Sequence, residues 1–139
     1  MKVIYKDGII IGTSIPFLEV LYLSEKGKVE IVDINGNKKE VKEILKEKGL
    51  EDIYLIYKDL RNKGYRVGTG LKFGGNLRVY EKPSDEHSKW ICFPVRINEE
   101  FTMYDFLAKN RVAHSTRKAL LVGVIDGRVR YLEIRWKRL

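Results

Sequence analysis

Two runs with the alternation of β-strands, Ala119–Ile125 and Val129–Trp136, flank Asp126-Gly127, a dipeptide that favours the left-handed backbone of a tight hairpin. So short a link has no room for a crossover, and the two runs can only pair antiparallel. The stretch ahead of them has helical spacing. Thr102 stands where a cap belongs, and the helix it starts carries Tyr104, Phe106, Leu107 and Val112. The C-terminal part therefore combines a helix with a sheet that contains at least one antiparallel pair.

The rest of the chain is divided by glycines. Val3 to Ile11 reads as a strand pair around Asp7-Gly8, and Ser14, just before Pro16, as the start of a helix carrying Phe17, Leu18, Leu21 and Tyr22 until Gly27. A strand at Val29–Val32, a turn at Asn35-Gly36 and a helix with Val41, Ile44 and Leu45 inward, closed by Gly49, complete a first unit. A further helix from Glu51 buries Ile53, Tyr54, Ile56, Tyr57 and Leu60 and stops at Gly64. Strand-like segments follow at Tyr65–Val67, Asn76–Glu81 and Trp90–Ile97. The expected class is α+β, with a small α+β domain over 1–50 and a mixed α/β domain over 51–139 around a central, mainly antiparallel sheet.

The formal net charge is +8, and the excess gathers late: Arg111, Arg117, Lys118, Arg128, Arg130, Arg135, Lys137 and Arg138 face only Asp126 and Glu133. Such a balance favours a polyanionic partner such as nucleic acid. Cys92 is the single cysteine, which excludes an internal disulfide framework and a cysteine-built zinc site, and fits a reducing compartment. The start of the chain lacks a signal peptide's apolar core, and no apolar run nears the roughly 20 residues that cross a bilayer. The expectation is a soluble, cytoplasmic protein with no membrane partner.

Candidate chemistry lies between Leu71 and Lys118, where Tyr80, His87 and Lys118 occur among glycines and arginines rather than paired carboxylates. RNA can be cut by its own 2′-hydroxyl, given a group to take that proton, a group to protonate the departing 5′-oxygen, and a cation for the charged phosphorane. An imidazole ordinarily titrates at about 6.5 and suits the acid, and a lysine ammonium suits the cation. A phenol, at about 10, needs a cation such as Lys118 or Arg117 nearby to serve as base. Taken singly, His87 reads as an exposed loop histidine, His114 as a structural histidine and Trp136 as a core or interface aromatic. Glu81, Asp85 and Glu86 sit on an apparent loop, a poor frame for a carboxylate metal site.

Together, Tyr57-Lys58-Asp59-Leu60-Arg61-Asn62-Lys63-Gly64-Tyr65, Phe73-Gly74-Gly75-Asn76 with Arg78-Val79-Tyr80, His87-Ser88, and Arg111 through Lys118 resemble the catalytic domain of tRNA-splicing endonucleases. The resemblance implies a metal- and cofactor-independent nuclease with Tyr80 as base, His87 as acid and Lys118 as cation. Its substrate would be precursor tRNA at bulge-helix-bulge sites, cut to a 2′,3′-cyclic phosphate and a 5′-hydroxyl. Arg111 matches the family's base-clamping arginine, with Arg117, Arg135 and Trp136 as further RNA contacts. Val129, Tyr131 and Ile134 would lie on a strand that pairs between subunits, and Asp126 in a loop that plugs a partner's groove. That hairpin carries one acid where self-assembling members carry several, which favours a heterotetramer with a structural subunit over a homo-oligomer. The alternative function is a non-catalytic, RNA-binding subunit of the same kind of complex.

Overall fold

The computed structural model describes residues 1–69 and 76–139. The glycine turn at Phe73-Gly74-Gly75 therefore lies outside the described residues. The chain divides into two units, Met1–Tyr54 and Leu55–Leu139. The sequence draws the boundary at the start of a helix, whereas the division falls one turn inside it.

The first unit holds β1 (Lys2–Lys6), β2 (Ile9–Ile11), α1 (Phe17–Glu25), β3 (Glu30–Val32) and α2 (Val41–Lys48). β1 is central, antiparallel to β2 and parallel to β3. Asp7 and Gly8 both have positive φ, 52° and 80°, the backbone that lets a two-residue turn follow the twist of its strands. α1 begins later than Ser14 suggests. Pro16 takes the cap position without a side-chain cap bond, because a residue before proline is pushed toward extended backbone and Ile15 cannot join the helix. α2 opens on a capping box of Glu40 and Glu43 and ends at Gly49, φ 65°.

α3 (Glu51–Asn62) runs into the second unit, which continues through β4 (Arg66–Thr69), β5 (Leu77–Tyr80), β6 (Trp90–Arg96), α4 (Met103–Ser115), β7 (Ala119–Asp126) and β8 (Arg128–Ile134). These five strands form one sheet in the order β4-β5-β6-β7-β8. Every neighbouring pair is antiparallel except β6 and β7, which run parallel with α4 as the connection between them. The α+β class and the mainly antiparallel sheet are as the sequence leads one to expect.

Strand alternation sorts the side chains of this sheet between two helices. On the α4 side, Ile91, Leu120 and Val122 close a core with Ala113, flanked by Phe93, Phe106 and Ile134. The inward stripe of α4 is Phe106, Asn110 and Ala113, one residue per turn. Tyr104 is 82% exposed, and Leu107 and Val112 are also exposed. Residues 106, 110 and 113 share a helix face, and the small Ala113 lets α4 lie close to the sheet.

On the other face α3 comes down on Gly123, where a Cβ would lie 2.5 Å from Ile56 Cδ1, a side chain with 0% exposure. This glycine is needed for the close approach, not for its backbone freedom. Gly123→Ala is expected to cost about 1–3 kcal/mol through overpacking, measured by urea denaturation, with Ile56→Val in the same chain recovering part of the loss. Nearby, Tyr131 Oη donates to Asp59 at 2.6 Å, and burial followed by that hydrogen bond pushes the phenol's pKa upward. Cys92 is buried in the same layer, its thiol pushed up to about 12 by burial.

Candidate active site

Sheet topology decides which chain segments meet. β5 and β6 are antiparallel, so the end of β5 lies beside the start of β6. β6 and β7 are parallel, so their starts coincide, and β8 returns with Ile134 opposite Leu120. Tyr80, the last residue of β5, Lys118, the residue before β7, and the Arg135-Trp136 tail of β8 therefore belong to one end of the sheet. The connection from β5 to β6, residues 81–89, carries His87 across that same end. Alternation puts Tyr80, with Arg78 opposite Ile91, on the α4 face.

Backbone bonds tie these segments together. Lys89 N–H donates to the Val79 carbonyl at 2.9 Å, and Ala119 N–H to the Lys89 carbonyl at 3.0 Å. Lys89 also forms an ion pair with Glu81, closing the base of the 81–89 loop. Lys118 Nζ donates to the Ser88 carbonyl at 2.8 Å, one residue from His87. An ammonium has three donors, so this bond orients it and leaves two for an anion. His87 itself is exposed, and Ser88 is buried with its hydroxyl unpartnered among the described residues.

Tyr80 is 7% exposed. The cation against its ring is Arg66, whose guanidinium carbon lies 3.7 Å from the ring centroid. Arg66, rather than the Lys118 or Arg117 expected from sequence, is the charge against this ring. The signal was available only in register, since Arg66 and Tyr80 are directly opposed across β4 and β5.

α4 ends at this site in an unusual way. Arg117 N–H donates to the His114 carbonyl at 3.0 Å and Lys118 N–H to the Ala113 carbonyl at 2.8 Å, the paired bonds of a Schellman stop. The left-handed position, usually glycine, is Arg117 at φ 59°. A non-glycine residue there costs about 1 kcal/mol, and the side chain it carries lines an open cleft of about 750 Å³ with Lys89, Asn110, His114, Lys118, Arg135 and Trp136. Arg117→Gly is expected to stabilise the fold by about 1 kcal/mol, measured by urea denaturation.

The cleft holds five of the candidate site residues read from sequence, Arg117, Lys118, Ile134, Arg135 and Trp136, and adds His114 and Asn110. His114 is an exposed residue meeting Trp136 edge-on, ring centroids 6.0 Å apart, rather than a structural histidine. Trp136 is 61% exposed, not a core aromatic. Arg135 is held by Glu133 through Nε at 3.1 Å and Nη2 at 3.2 Å. The hydrogen bond from Arg135, then that from Trp90, keeps the Glu133 carboxyl below its ordinary range.

Arg111 is exposed on α4 and does not line the cleft. Asp126 sits at the opposite end of β7, about 25 Å from Lys118 at strand rise, paired with Arg130 at 3.0 Å. Along β8, Val129 is half-buried, Tyr131 is turned to Asp59, and Ile134 packs on the α4 core and lines the cleft. The exposed apolar residue of this edge strand is Leu132, at 57%, a position outside the set expected from sequence. Among the described residues no three His, Cys, Asp or Glu side chains gather as metal ligands. No described helix is long and apolar enough to cross a membrane.

A basic cleft, an exposed imidazole and a phenol with a cation against its ring belong to one end of the sheet. The chain belongs to the tRNA intron endonuclease family, whose catalytic C-terminal domain matches residues 50–131. It is 42% identical to a tRNA-splicing endonuclease of Nanoarchaeum equitans over 89% of both chains. It is 40% identical to that of Thermococcus gammatolerans over 87% of this chain and 76% of the relative. For the Saccharolobus solfataricus enzyme the identity is 35%, over 88% and 72%.

Proposed function

We propose that this chain is a cytoplasmic, metal-independent endonuclease that excises introns from precursor tRNA at bulge-helix-bulge sites. Tyr80 takes the proton of the 2′-hydroxyl, whose oxygen attacks the adjacent phosphorus. The P–O5′ bond breaks as His87 donates its proton to the leaving oxygen. A 2′,3′-cyclic phosphate and a 5′-hydroxyl result, so the products carry all the atoms of the substrate and no water is consumed. Lys118 neutralises charge growing on the phosphorane, where a fixed ammonium stabilises the transition state more than the ground state.

The observation that supports this reading is the shared end of β5, β6 and β7, with Lys118 bonded to the carbonyl next to His87. Arg111, Arg117, Arg135 and Trp136 serve as RNA contacts, with unstacked bulge bases meeting guanidinium or indole faces. β8 is a sheet edge, and its pairing with a structural subunit, through Val129, Tyr131 and Ile134 with Asp126 as plug, gives a heterotetramer. End-labelled precursor tRNA in excess chelator is expected to be cut at two defined sites, leaving cyclic-phosphate ends. Cleavage lost in chelator and restored by magnesium, or RNA bound but never cut even with the partner subunit, would overturn the assignment.

A further inference from the structure

Arg66 does two things with one planar group. Its guanidinium lies 3.7 Å from the Tyr80 ring centroid, and Nη1 donates to the carbonyls of Pro83 at 2.8 Å and Asp85 at 3.1 Å. The turn it grips closes itself, with Asp85 N–H donating to the Lys82 carbonyl and Lys82 N–H to Asp85 Oδ2, both at 3.0 Å. Arg66 is therefore not needed to form the turn. It sets where an already formed turn sits against the sheet, and His87 leaves that turn two residues later.

We infer that Arg66 is a positioning residue, a clamp that fixes the Tyr80 ring and the segment leading to His87 in one mutual geometry. This rests on the proposed roles of Tyr80 and His87. The shape of the group is what matters. A guanidinium stacks by its face while its N–H donors project from the edge in the same plane, whereas a lysine ammonium has no plane and cannot hold a ring and two carbonyls together. The ion pair of Lys89 with Glu81 fixes the foot of the same loop, so removing Arg66 frees its crown without releasing its base.

The test compares Arg66→Lys and Arg66→Ala with wild type by single-turnover and steady-state cleavage. It also records the ring resonances of Tyr80 and His87 in ¹³C-labelled protein, assigned with Tyr80→Phe and His87→Gln. A loose geometry costs about 10²-fold in rate. Both variants should lose that in kcat at unchanged KM, lysine scarcely better than alanine, and both resonances should move while that of Tyr131, on the α3 side, stays. Wild-type kcat in Arg66→Ala, a loss confined to KM, or full recovery with lysine would each overturn the clamp. If the wild-type chain cuts no RNA even with the partner subunit, the functional reading falls by itself. The resonances still decide the clamp, because unmoved Tyr80 and His87 signals in Arg66→Ala refute it.

Discussion

His87→Ala is expected to slow cleavage of precursor tRNA by about 10²–10⁴-fold, the range for loss of a general acid or base, with RNA affinity and thermal midpoint unchanged. The side chain is exposed and makes no hydrogen bond to the described residues, so its removal leaves no cavity and no orphaned partner. A substrate whose scissile 5′-oxygen is replaced by sulfur sharpens the test. A thiolate departs without being protonated, so His87→Ala should cut this RNA nearly as fast as wild type does. Equal slowing on oxygen and sulfur substrates would remove His87 from the role of acid, and unchanged cleavage of the ordinary substrate would remove it from the reaction.

Lys118→Met should cost about 10²–10³-fold in kcat, the loss typical of one group that stabilises transition-state charge. Here sulfur in the leaving group should give no rescue, because charge on the phosphorane oxygens is the same for either substrate. The side chain also holds the Ser88 carbonyl at 2.8 Å, so part of the loss comes from a loosened 81–89 loop. Lys118→Arg separates the contributions. It keeps the charge and a donor but spreads them over a larger, planar group, and a rate near that of the methionine variant shows that the site needs a compact ammonium. A Lys118→Met enzyme with wild-type kcat would refute the assigned role.

How much of this was legible in the sequence follows from the range of the interactions. Helix ends at Gly27, Gly49 and Gly64, with φ of 76°, 65° and 93°, were readable because only the local backbone decides them. The Asp126-Gly127 hairpin was readable for the same reason, and Thr102 as the cap of α4 is satisfied within three residues, by Asp105 N–H. The inward face of α4 was not legible. Tyr104 and Leu107 are more apolar than Asn110, but the contact side was set by where the β6–β7 pair lies, and nothing within α4 encodes that.

The proposed triad was selected by residue type and by resemblance to a family to which the chain proves to belong. What sequence alone determined was the inventory: the positions of turns and caps, the +8 charge gathered late in the chain, and a phenol, an imidazole and an ammonium of suitable chemistry. Only the tertiary structure decided their company. Parallel pairing of β6 with β7 brings Lys118 to Ser88 across 30 positions, and register on β4 sets Arg66 against Tyr80. The left-handed turn after α4 leaves Arg117 in the cleft. Such contacts depend on which strands neighbour one another, and that choice is made by burial over the whole sheet rather than by any segment's own pattern.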